Sequence, residues 1–107
     1  AARAPQRASN AKTFSVVPEV VIDNALSNRF TVIEVSGLDR TGLLYELTTA
    51  LGKLNLNIAS AHIATFGEKA VDVFYVTDLT GGKVGHAGRQ ASIRRSLLEL
   101  FGIREAA

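Results

Sequence analysis

Between Phe30 and Leu54 the hydrophobic rhythm of the chain changes, and the change restricts what it can fold into. From Phe30 to Ser36 the residues alternate, with Thr31, Ile33 and Val35 on one face and Phe30, Val32 and Glu34 on the other, which predicts a strand. From Leu43 onward Leu43, Leu44, Leu47, Ala50, Leu51 and Leu54 form one helical stripe, with Tyr45, Glu46, Thr48, Thr49 and Lys53 on the other side. Between these runs stands Gly37-Leu38-Asp39-Arg40-Thr41-Gly42. So short a passage from strand to helix requires a sharp corner. Asp39 or Thr41 is the expected N-cap, Asn55 the left-handed stop, and Lys53 suits the last turn.

The flanking segments complete the architecture. Pro18–Asp23 predicts a short strand, and residues 24–28 a turn that returns it antiparallel to the strand after Phe30. Asn57–Gly67 predicts a strand of small residues, Gly67–Ala70 a turn, and Val71–Asp78 another strand. In that strand Val71, Val73 and Tyr75 face one way while Phe74 and Val76 face the other, as expected of a central strand or of one covered on both sides. Residues 79–88 read as a loop. A second helix follows, with Ile93, Leu97, Leu100 and Phe101 on its stripe and Arg89, Arg94 and Arg95 outside it. This order predicts an α+β, ferredoxin-like domain: an antiparallel four-stranded sheet with two helices on one face. The usual last strand is missing, because only Gly102–Ala107 remains; the extra N-terminal strand is expected to fill that edge.

Composition narrows the function. The chain's 107 residues suffice for one domain. Residues 1–13 lack a large apolar side chain and read as a disordered linker, leaving 14–107 as the domain. Three of the 12 basic residues, Arg3, Arg7 and Lys12, lie in that linker, so nine face ten acidic residues in the domain. A nucleic-acid-binding face should itself be basic, and it should place aromatic residues on one sheet face; Phe74 and Tyr75 are adjacent and point oppositely. No nucleic-acid partner is expected. There is no Cys, no apolar run of membrane-spanning length and no secretory signal, so a cytoplasmic setting is expected and no membrane partner. The absence of Met suits a piece of a longer protein. His62 reads as a packed or surface strand residue and His86 as a solvated loop residue. Thr80-Gly81-Gly82-Lys83 lacks the rest of a phosphate loop. No catalytic residue, metal site or cofactor is expected.

The corner offers different chemistry. The first N–H groups of a helix have no intrahelical partner and favour an anion. The N–H groups of Gly42, Leu43 and Leu44 suit a carboxylate, Asp39 suits an ammonium, and Gly42 leaves the backbone open to close approach. A free α-amino acid carries both groups. The same residues also serve as ordinary caps and turns, and spacing does not separate the two readings.

Asp39-Arg40-Thr41-Gly42-Leu43-Leu44, followed by the block Asn57–Lys83, resembles the ACT domain family, small regulatory modules that bind amino acids. More narrowly, it is similar to the last ACT domain of bifunctional enzymes that attach and remove uridylyl groups on the nitrogen-signalling protein PII. The resemblance spans about Phe14 to Phe101. It implies a regulatory module that senses glutamine, with PII met through the catalytic domains of a parent nucleotidyltransferase and hydrolase, and with no catalysis in this chain. It also implies a site shared by two modules, in a homodimer or a tandem pair. Asp39, Arg40, Gly42 and Leu43 would form one side, and Asn57, Ile58 and Ala59 the other. Thr41 stands where the family usually has Pro, which should soften the corner. A ligand-free assembly module is the alternative.

Overall fold

The computed structural model describes residues 16–104. Its elements are β1 (Glu19–Asp23), β2 (Thr31–Leu38), α1 (Leu43–Lys53), β3 (Leu56–Phe66), β4 (Lys69–Asp78) and α2 (Ala87–Glu99). The strands form one antiparallel sheet in the order β1-β2-β4-β3. β4 is paired on both sides, which explains its two apolar faces. Ala70, Asp72, Phe74 and Val76 are buried on the helix side, whereas Val71, Val73 and Tyr75 are half-buried on the other. β1 fills the edge beside β2, with Val20 opposite Val35 and Ile22 opposite Ile33. The expected substitution of the N-terminal strand for a last strand is the one observed. The linker expected at residues 1–13 lies outside the described residues.

One core joins the inner sheet face to both helices. Ile33, Val35, Phe74 and Val76 from the strands meet Leu43, Leu47 and Leu51 of α1 and Ile93, Leu97 and Leu98 of α2. Each such side chain contributes about 1.5–3 kcal/mol when taken from water. Leu44 is a correction: it is 43% exposed, because it lies one step of about 100° around the helix from Leu43. The expected four-residue turn shortens to Gly67 and Glu68, since Lys69 and Ala70 already belong to β4. α2 begins within the stretch expected to be loop. His86 remains exposed but has a structural task, because its Nδ1 accepts a hydrogen bond from the N–H of Arg89 at 3.2 Å and so caps α2. Asn55 is the left-handed stop of α1, at φ 62°, and the Arg89 side chain donates to the carbonyls of Leu54 (2.8 Å) and Asn55 (3.2 Å) there.

Two contacts hold the added strand and the end of α2. The buried Thr31 hydroxyl donates to Asn24 Oδ1 (2.6 Å) and accepts from the N–H of Val84 (2.8 Å), while Asn24 Nδ2 donates to the Val84 carbonyl (2.7 Å). This fastens the β1–β2 hairpin to the loop before α2. At the opposite end of β2 the Phe101 ring lies on Gly37, where an added Cβ would stand 2.6 Å from Phe101 Cε1. Gly37→Ala should therefore destabilise by about 1–3 kcal/mol through overpacking. That corresponds to a melting temperature lower by about 4–8 °C per kcal/mol. Adding Phe101→Leu to Gly37→Ala should return part of the loss, as thermal denaturation of the single and double variants will show.

Candidate functional site

The corner is built by backbone. β2 ends at Leu38, opposite Lys69, and the next N–H, that of Asp39, donates to the Glu68 carbonyl at 2.7 Å. The N–H of Leu43 turns back to the Arg40 carbonyl (3.2 Å), and that of Glu46 begins the helical ladder on the Gly42 carbonyl (3.0 Å). The N-cap is Gly42, at φ 83°, and no side chain caps the helix. This corrects the expectation of an Asp39 or Thr41 cap: with glycine in the left-handed N-cap position, both oxygens precede the place from which a cap reaches the first turn. The N–H of Leu44 has no hydrogen-bond partner among the described residues. The α1 N-terminus is thus an uncapped, partly positive end. Space above Gly42 is open, as an added Cβ would meet only Glu46 Oε2 at 3.9 Å; its positive φ is what demands glycine.

The other residues expected on this side divide by role. Arg40 is engaged within the chain. Its Nη2 donates to Glu46 Oε1 (2.8 Å) and to the Leu100 carbonyl (2.8 Å), and its Nη1 to Glu46 Oε2 (3.2 Å). Its guanidinium also stands 6.0 Å from the Phe101 ring centroid. Arg40 therefore ties the corner to the end of α2. Leu43 gives its side chain to the core and its N–H to Arg40, and Leu44 offers a free N–H beneath an exposed side chain. Asp39 is exposed and makes no side-chain hydrogen bond among the described residues.

Asn57, Ile58 and Ala59 lie at the other end of the sheet. Asn57 pairs with Thr77 and Ile58 with Val76, whereas the corner follows Leu38, in line with Lys69 and Phe66. Eight residues of β3 separate Ile58 from Phe66, roughly 26 Å at the rise of a strand. No amino acid touches both sides of the expected site within one chain. A register shift between Ile58 and Ser60 marks a bulge at Ala59, and β3 is an edge strand with mostly exposed, uncharged side chains.

Sequence reasoning missed Asp72. It is 2% exposed, lies on the same face of β4 as Phe74 and Val76, and its Oδ1 has no hydrogen-bond partner. Burial, and then the charge of Asp39, push its pKa above the ordinary 3.8. The alternation that assigned Phe74 and Val76 to one face also assigned Asp72 to it, so the signal was present. Elsewhere, Ser60 Oγ stands 3.4 Å from His62 Nε2 on the exposed face, and the His62 ring packs edge-on to Tyr75 at 5.4 Å. Asp78 Oδ1 accepts from the Thr80 hydroxyl and the N–H groups of Thr80 and Gly82, which makes Thr80–Lys83 a turn. No group of three His, Cys, Asp or Glu side chains suited to a metal occurs among the described residues, and no helix among them is long and apolar enough to cross a membrane.

A raised carboxyl pKa sets the sign of a pH effect. Between pH 3.8 and its folded pKa, Asp72 binds more protons in the folded chain than in the unfolded one. The stability that its protonation contributes is fully present below pH 3.8 and is lost as pH rises through the folded pKa. Asp72→Asn removes that loss. The variant should melt higher than the parent at about pH 7, with the gap closing as pH falls toward the ordinary carboxyl range; equal melting curves at neutral pH would contradict it.

Comparison with known proteins agrees with the fold. Residues 26–100 match the model of the ACR family N-terminal ACT domain. The chain is 62% identical over 106 residues to a bifunctional uridylyltransferase/uridylyl-removing enzyme from Bradyrhizobium sp. (strain ORS 278), covering 99% of this chain and 11% of that protein. It is 61% identical to the enzyme of the same name from Rhodopseudomonas palustris, covering 99% of this chain and 12% of that one. It therefore spans only about a ninth of these relatives' length. A crystal structure of an unknown protein from Galdieria sulphuraria shares the fold at a TM-score of 0.50 and 21% identity, over 64% of this chain and 39% of that one. With the family match, the antiparallel sheet and the paired helices in agreement, the chain belongs to the ACT domain family.

Proposed function

We propose that the chain is the glutamine-sensing module of a longer cytoplasmic enzyme that attaches uridylyl groups to PII and removes them. The catalytic machinery lies outside this chain, and glutamine bound here would favour uridylyl removal. The observation that carries the reading is the uncapped α1 N-terminus beside the exposed, unpaired Asp39. The first suits a ligand carboxylate and the second its ammonium. The high identity to enzymes named for both uridylyl reactions supports the parent activity.

The geometry also supports a paired site. β3 has an open edge, and long edges of uncharged residues favour pairing. If two β3 edges meet antiparallel about a two-fold axis, the Asn57 end of one lies beside the Phe66 end of the other. Asn57, Ile58 and Ala59 of one module then stand near the corner of its partner, whether in a homodimer or in a tandem pair. A ligand-free assembly module would use the same edge, so pairing alone does not separate the two readings.

Calorimetry with glutamine, alongside sedimentation, separates them. The chain should self-associate with rising concentration and bind glutamine in the associated form. Asp39→Ala should weaken glutamine by roughly ten- to hundredfold, from about 1.5–3 kcal/mol for a lost hydrogen bond to a charged group. Because Asp39 does not cap α1, its melting temperature should not fall. Association without glutamine binding would leave assembly as the function; a lower melting temperature with unchanged affinity would make Asp39 structural.

A further inference from the structure

Both helices pack on one face of the sheet, and among the described residues no helix or strand covers the other. On that outer face Val32, Val71, Val73 and Tyr75 form an apolar centre, with Tyr75 between Val32 and Ser60 of the flanking strands. Rings fix one end of it: Tyr75 meets Phe30 edge-on at 6.2 Å and His62 edge-on at 5.4 Å. Rings already held in place lose little freedom on contact with a partner. Around this centre the charges are segregated by strand. The alternation of β1 and β2 turns Glu19, Asp23 and Glu34 outward and no basic residue of those strands with them. β4 and β3 turn Lys69 and His62 outward and no acid, because Asp72 and Asp78 fall on the opposite parity of β4.

We infer that this outer face is an interface with a second copy of the chain, stacked sheet on sheet about a two-fold axis that runs along the strands between β2 and β4. That axis lays β1 over the partner's β3 and β2 over the partner's β4, so each acidic half covers a half without acid. By the register of the sheet, Glu19 comes over the partner's Ala64, one row from the partner's Lys69, and Glu34 comes beside the partner's His62. An axis across the strands would lay β1 over β1 instead and set the acidic halves against each other, which like charges oppose. Four strands about 4.8 Å apart and about eight residues long offer roughly 500 Å² on each side, so the pair covers roughly 1,000 Å², the lower bound of a specific interface. The association is therefore expected to be reversible. It needs no ligand and does not use the β3 edge. Edge pairing turns about an axis perpendicular to the sheet and leaves both outer faces on one side, so stacking would join two edge-paired dimers into a tetramer.

Sedimentation of the chain over a concentration series tests this, with Glu19→Lys and Lys69→Glu as probes. Both side chains are exposed at strand starts, so neither change should disturb the fold. Each variant alone sets like charges against each other in the stack and should weaken one association step by at least about tenfold. An equimolar mixture of the two should recover that step, because each altered charge then meets its opposite on the other chain. The chain has no cysteine, which allows a second readout of the orientation. Glu19→Cys and Ala64→Cys chains, mixed and treated with a short bis-maleimide, should cross-link to each other more than either does to itself. Variants that sediment as the parent does, a mixture no better than its components, or self-linking of Glu19→Cys in place of the mixed product overturns the stacked arrangement, and the β3 edge and amino-acid binding then stand without it. A parent chain that stays strictly monomeric at millimolar concentration overturns the stack and the edge pairing together.

Discussion

The antiparallel pairing of β2 with β4 is the constraint on which the rest of the structure depends. Once these two strands lie side by side, every other element has a restricted place. β3, joined to β4 by two residues, must take the far side of β4 and becomes an edge. The opposite edge, beside β2, lies open, and no strand follows α2 among the described residues. An open, apolar β2 flank is an aggregation hazard, and β1 removes it by pairing along Val32–Ser36. The polar staple of Asn24, Thr31 and Val84 then holds that hairpin to the loop leading into α2. The domain thus closes its sheet from its N-terminal side.

The same pairing positions the corner. β2 and β4 run in register down to Leu38 and Lys69, and the Asp39 N–H to Glu68 carbonyl bond continues the ladder one step beyond. The backbone then has four residues in which to reach a helix. A left-handed Gly42 accomplishes the turn, but it leaves the first helical N–H groups without a side-chain cap. Capping would have stabilised α1 by roughly 1 kcal/mol. Leaving it out keeps donors available at the surface. The helix is secured by other means: Leu43, Leu47 and Leu51 in the core, and Arg40 binding Glu46 on one side and the end of α2 on the other.

Periodicity made most of the fold legible. The alternation in β2 and β4 and the stripe of α1 each reflect a face that meets the core, and burial is what such patterns report. What escaped was polar detail set by three-dimensional neighbours. Nothing local distinguishes Asp39, three residues before the helix-capping glycine, from a capping aspartate. His86 looked like a loop residue because capping by an imidazole depends on where α2 begins. Arg40 was expected on the ligand side of the corner, and its tie to the end of α2 was hidden because its partner Leu100 is sixty residues away. Asp72 is different: its parity with Phe74 and Val76 placed it in the core, but a lone acid within an apolar run is easily read past. The layout of the candidate site was legible only in part. Asp39 and Gly42 stand at the corner as expected, whereas Asn57–Ala59 stand at the other end of the sheet, because strand order rather than sequence spacing decides which ends coincide.

That separation bears on how such a module could regulate anything. A site complete within one chain would report a ligand only to its own fold. Here the corner is tied through Arg40 and Phe101 to the last turn of α2, and through Gly37 to the centre of the sheet. Asn57, Ile58 and Ala59, the residues expected to complete a site with it, are some 26 Å away along β3, at the rise of a strand. If β3 edges pair, a ligand between two modules bridges the corner of one to the strand start of the other. Its binding energy then favours the paired arrangement over the separate one, and a ligand shifts an equilibrium only by its differential affinity for the two states.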